Sequence, residues 1–262
     1  MKKKLYAFLF AFIWLLCACA KENNTAEATV FETTLPAATE IVPETTVPAV
    51  PQHSQLYHAA YPADRIWEYF EEVVLDVEYS SGTGNAMLVQ KWLAPIQYRI
   101  FGTPTEEDLE VLNGLFAQLN QVPGFPGIQE AAEGETEQLR ISFLGPDVFR
   151  ASYSSAVGGE DATGATEFWY YTDTNEIHSA RIGYRTDIDQ SIRNSVLIEE
   201  VVNTLGISDT VLREDSITYQ YSDFNAALSD VDWILLKLLY HPEIQCGMDA
   251  EDCKAVLQRL YW

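Results

Sequence analysis

"LIEEVVNTLGISDTVLREDSITYQY" runs from Leu197 to Tyr221. The pattern is helical from Ile188 through Leu205, and Gly206 followed by apolar Ile207 has the form of a helix ended by a left-handed glycine. Downstream, "LSDVDWILLKLLY" (Leu228 to Tyr240) is apolar and helical, with Ser229 as N-cap and Asp232 three residues on. "DAEDCKAVLQRLYW" makes a short last helix, with Asp249 as its cap. Upstream, "LRISFL", "EFWYYT" and "IHSARIGYR" are β-rich, the last two joined by the turn residues "TDTN". Before them come a strand in "WLAPIQYRIFG", a helix in "PTEEDLEVLNGLFAQLNQV" with a capping box at Thr105 and Asp108, and a turn-rich "VPGFPGI" loop. "ADRIWEYFEEVVLDVEY" spaces Ile66, Phe70, Val73, Val74 and Val77 as one helix. This order specifies an α/β (α+β) fold: one domain, a mixed sheet with helices packed on it.

The amino terminus reads differently. "MKKK" and the twelve apolar residues Leu5 to Leu16 have the form of a signal peptide, too short to span a bilayer. Leu16-Cys17-Ala18-Cys19 resembles a bacterial lipobox, so residues 1–18 are expected to be removed and Cys19 acylated. A cut after Ala20 is the alternative. Residues 19–62 are rich in Thr, Glu, Pro and Ala without periodicity, and are expected to form a disordered tether with a coil span of roughly 35 Å. The folded domain is expected over 63–262. Export and a lipid anchor on the outer side of a bacterial membrane follow, with the membrane as one partner.

The chain has a formal charge of −23. Loss of residues 1–18 leaves 13 basic against 39 acidic residues, a charge of −26. Such a surface is repelled by nucleic acid, so no nucleic-acid partner is expected. With Cys17 and Cys19 in the targeting segment, Cys246 and Cys253 are the pair left in the folded part, and in an exported protein a disulfide between them is expected.

Aligned on Gly206, the opening stretch resembles the metzincin signature HExxHxxGxxH. The three histidine positions fall on Glu199, Asn203 and Asp209, and the catalytic glutamate on Glu200. "DSITY" (Asp215 to Tyr219) falls where these proteases carry a methionine turn, with Thr218 at the methionine, and Leu228 to Tyr240 resembles the helix that follows. From about residue 64 to 262, most clearly from Ile188 to Met248, the chain also resembles a family of uncharacterised bacterial exported proteins with an EE…LG…DS…LY pattern and no zinc histidines. The resemblance implies a zincin-like domain with a central degenerate active-site helix; it implies no established activity.

All-oxygen ligands at 199, 203 and 209 suit Ca²⁺, Mg²⁺ or Mn²⁺ better than Zn²⁺, which prefers nitrogen and sulfur. No cofactor is therefore expected, and the leading expectation is a non-catalytic domain serving binding or envelope assembly. The alternative is a hydrolase using Glu200 with oxygen-held metal; the bland reading of the same residues is a solvated helix face. His53 and His58 sit in or beside the tether, and neither His178 on its strand nor His241 beside Pro242 has a second histidine at metal spacing. Phe168, Trp169, Tyr170 and Tyr171 either border a cleft that takes a peptide or cell-envelope ligand by strand addition, or are covered by core and the N-terminal helix. The covered reading is the simpler one.

Overall fold

The computed structural model describes residues 54–75, 88–153, 162–221 and 225–261. The signal peptide, Cys19 and His53 lie outside them. Five strands form one sheet in the order β2-β1-β3-β5-β4. These are β1 (Ile96–Gly102), β2 (Ile128–Glu130), β3 (Leu139–Leu144), β4 (Gly164–Tyr170) and β5 (Ile177–Arg185). The first three and β5 run parallel, and β4 pairs antiparallel with β5 at the edge. The described residues also form six α-helices: α1 (Ala63–Phe70), α2 (Glu106–Leu119), α3 (Pro146–Ser152), α4 (Gln190–Thr204), α5 (Asp230–Leu239) and α6 (Ala250–Tyr261). The architecture is the single mixed α/β domain that the sequence specifies.

Alternation along the strands sorts the two faces. Tyr98, Leu139, Ile141, Ile182 and Tyr184 point to the main core, where Tyr98 packs 4.6 Å from Phe116 of α2 and the Tyr184 hydroxyl donates to Leu197 O of α4 at 2.9 Å. The other face carries a smaller cluster of Phe149, Tyr153 and Ala165, with α3 on it. There the register sets Arg99, Arg140 and Arg181 side by side on three strands, with Glu167 beside Arg181. Glu137 lies 3.5 Å from Arg99 and 3.3 Å from Arg140, and Glu167 lies 2.6 Å from Arg181, so adjacent like charges are offset by flanking carboxylates.

Three expectations need correction. Residues 54–62, assigned to the disordered tether, belong to the fold. Leu56, Tyr57 and Tyr61 pack on the core, and the Tyr261 hydroxyl donates to Tyr61 O at 2.6 Å while accepting from His58 N at 3.2 Å. The "VPGFPGI" loop ends in strand β2, which three residues are too few to announce. The first helix changes at Glu71 into a π-helical turn, Glu71–Leu75; Val77 lies outside the described residues.

Candidate functional site

α4 is fixed at both ends by polar contacts. At its start, Asp108 accepts from Arg193 Nε at 2.8 Å and Gln190 Nε2 at 2.6 Å while closing the capping box with Thr105 on α2. Burial alone would raise the Asp108 pKa, but hydrogen bonds from the Thr105 backbone, Arg193, Gln190 and the Thr105 hydroxyl outweigh it and hold the carboxyl below its usual value. At its end, Gly206 has φ 96° and donates to Asn203 O. A side chain there would put Cβ 2.1 Å from Gln90 O, so the segment before β1 lies directly on the glycine.

Between these ends stand three of the four residues of the metzincin alignment, and the fourth, Asp209, follows Gly206. Glu200 is buried against the edge strand. The Thr166 hydroxyl donates to its carbonyl at 2.9 Å, and a Cβ on Gly164 would stand 2.6 Å from its Oε1. Glu199, the next residue on the helix, is only half buried. One turn on, Asn203 Nδ2 donates to Asp209 Oδ1 at 3.1 Å. Two of the three ligand positions therefore meet, and they are joined by a hydrogen bond.

The turn after the helix packs back on it. Thr210 N donates to Thr218 O at 2.9 Å, and Gln220 N to Thr210 O at 3.2 Å. Thr218 is buried where the alignment places a methionine. Asp232 on α5 ties the turn down: it accepts from Ser216 Oγ at 2.6 Å and Ile217 N at 3.1 Å while capping its own helix through Ser229. The space left among Val202, Thr210, Arg213, Thr218 and Asp232 is about 10 Å³, room for one water and no ligand. Arg213 closes it, paired with Asp215 and set between the rings of Tyr61 and Tyr69 at 4.9 and 4.6 Å.

Zinc does not fit this donor set: Glu199 and Asp209 offer carboxylate oxygen, Asn203 an amide already bonded to Asp209, and none offers imidazole or thiolate. Among the described residues no group of three or more His, Cys, Asp or Glu side chains could hold a metal ion. The three described histidines are engaged locally. His58 lies 3.7 Å from Asp230, the His178 ring lies tilted with its centroid 4.3 Å from that of Tyr171, and His241 accepts from Glu243 N at 3.2 Å.

The sequence reading missed Glu72, which accepts from Thr210 Oγ1 at 2.5 Å and Val211 N at 2.8 Å and so anchors the loop beyond Asp209. Its partners lie about 140 positions away, and no local signal marks it. The aromatic strand also differs from the simpler expectation. Phe168 faces the core, but Trp169, Tyr170 and Tyr171 are 45%, 38% and 51% exposed at the sheet edge.

The disulfide is not formed. Cys246 and Cys253 are both free thiols: Cys246 Sγ donates to Lys91 O at 3.6 Å, and Cys253 is buried in the core on α6. Burial raises both pKa values, that of Cys253 to about 12.

The family described as "Protein of unknown function (DUF2927)" matches residues 63–259, from the first residue of α1 to near the end of α6. The chain belongs to the DUF2927 family. No curated protein matches it. Every residue of the α4 site lies inside the DUF2927 region, so the buried Glu200, the Asn203–Asp209 contact and the Asp232-tethered turn are features of that domain in this chain.

Proposed function

We propose that this DUF2927 protein is an exported, lipid-anchored envelope protein whose domain is a metzincin-like scaffold without zinc, serving binding rather than hydrolysis. The observation that carries the reading is the Asn203–Asp209 hydrogen bond: two ligand positions bond to each other where a protease would present imidazoles to a metal. The helix, its left-handed glycine, the buried turn and the following helix support the scaffold, because they touch in the order that the alignment requires. Glu200 then serves as a packing and hydrogen-bonding group under the edge strand. A carboxylate with no metal-bound water has no hydroxide to deliver near neutral pH.

Binding is assigned to the β4 edge. Among the described residues β4 has a strand neighbour only in β5, and Trp169, Tyr170 and Tyr171 stand exposed at its end. An extended peptide or cell-envelope ligand would add there as a further strand, its backbone bonded to β4 and its side chains against the aromatic rings.

Metal analysis of the purified domain, with digestion of a peptide library by wild type and Glu200→Gln, tests the central claim. The expected result is no stoichiometric zinc and no cleavage by either form. One equivalent of metal together with cleavage lost in Glu200→Gln would establish the hydrolase instead. Anchoring is tested separately: Cys19→Ser should release the protein from the membrane fraction, and retention of the variant would sink the lipid anchor.

A further inference from the structure

Three cationic side chains among the described residues are buried: Lys91, Arg193 and Arg213, at 5%, 5% and 6% exposure. Two of them have a carboxylate partner, Arg193 with Asp108 and Arg213 with Asp215. Lys91 has none among the described residues. Its Nζ donates to the carbonyls of Leu239 (2.8 Å) and Ile244, leaving the third ammonium proton. In a chain with 39 acidic residues this is unusual, because a buried charge is normally paired. Lys91 also lines a groove of about 430 Å³, a volume in the range of small-molecule sites. Apolar groups dominate its walls, among them Trp92, Leu93, Tyr240 and Pro242, with the half-buried Cys246 beside them.

We infer that this groove binds a small organic carboxylate, its anionic head on the Lys91 ammonium and its aliphatic or aromatic body along Trp92, Leu93 and Tyr240. A carboxylate would supply the missing counterion, and the apolar wall would supply the rest of the affinity. The site is separate from the residues of the metzincin alignment and does not depend on the proposed function. The competing account is that Lys91 only closes the end of α5, bonding the last helical carbonyl, Leu239 O, and the carbonyl of Ile244 in the loop beyond.

The two accounts differ in the titration of Lys91. Burial lowers its pKa to about 8, with the Cys246 and Cys253 thiols acting in the opposite sense. Tyr240 lies with its ring 5.7 Å from Nζ, Glu176 bridges the Lys91 backbone and acts on Cys246, and Asp252 and Asp249 act on Cys253. An anion on the ammonium favours the charged form, so binding must raise this pKa, and affinity must fall as pH rises past about 8.

The experiment is a pH titration of the folded protein carrying ¹³Cε-labelled lysine, alone and with millimolar phenylacetate or octanoate, together with alkylation of Cys246. The expected result is one lysine with a midpoint near 8 that rises by about one pH unit with either probe, and Cys246 alkylation slowed several-fold. Leu93→Asp, at an exposed rim position, should weaken binding about tenfold or more by setting a like charge beside the probe. An unchanged midpoint and unchanged alkylation would assign Lys91 to helix closure alone and overturn the site. Equal binding of 2-phenylethanol would overturn the role of the carboxylate.

Discussion

Gly206 concentrates two requirements in one position. Its backbone is left-handed, and Gln90 O occupies the place of a side chain. Gly206→Ala should therefore cost about 3 kcal/mol or more, combining backbone strain with overpacking against backbone that cannot move aside; urea unfolding measures it. The helix end was legible, because a glycine before an apolar residue is a local signal, but Gln90 was not, being more than a hundred positions away. Asp108 divides in the same way: its capping box was legible, and its pairing with Arg193 across 85 positions was not. Its pKa is lowered in the fold, so its stabilisation is complete above the unfolded value of ~3.9 and is lost as pH falls through the folded value. Asp108→Asn should cost about 3 kcal/mol near pH 7, since it leaves Arg193 buried and unpaired. The difference from wild type should shrink below pH ~4 in acid-unfolding curves.

Among the elements, α5 and the turn before it behave as one unit. Asp232 serves both, closing the capping box with Ser229 and accepting from Ser216 and Ile217. Ser229→Ala removes only a cap and should cost about 1 kcal/mol. Asp232→Ala also leaves the buried Ser216 and Ile217 donors without their acceptor, and should cost at least twice as much. Equal losses in thermal unfolding would show the turn to be independent of the helix. The sequence announced the box because its parts lie three residues apart; α3, seven residues long, and β2, three residues long, are too short for periodicity to show. The metzincin alignment takes the helix, glycine, turn and following helix only from their order along the chain. It could not reveal that Asn203 and Asp209 bond to each other, because that depends on how the chain returns after Gly206.

For the molecule as a whole, helices and strands could be read from their periodicities, but strand order could not. The pairings β1 with β3 and β3 with β5 each join residues about 41 positions apart, and nothing local encodes them. The cysteines show the same limit: seven positions of separation favoured a bridge, while the fold sends Cys246 to the Lys91 carbonyl and Cys253 into the core. Thiol counting on the denatured, unreduced domain should find both free; a count of zero would mean that a bridge forms.

The contact between Tyr261 and residues 58–61 sets an order of events. A chain made or exported from its amino terminus presents Tyr61 about two hundred residues before it presents the phenol that holds the neighbouring backbone in place. Until then α1 lacks α6, against which it packs, and long-range strand pairing is slow even in a complete chain. The amino-terminal corner of the domain is thus completed only when Tyr261 is in place, so its closure comes late in the folding of a chain that emerges from its amino terminus.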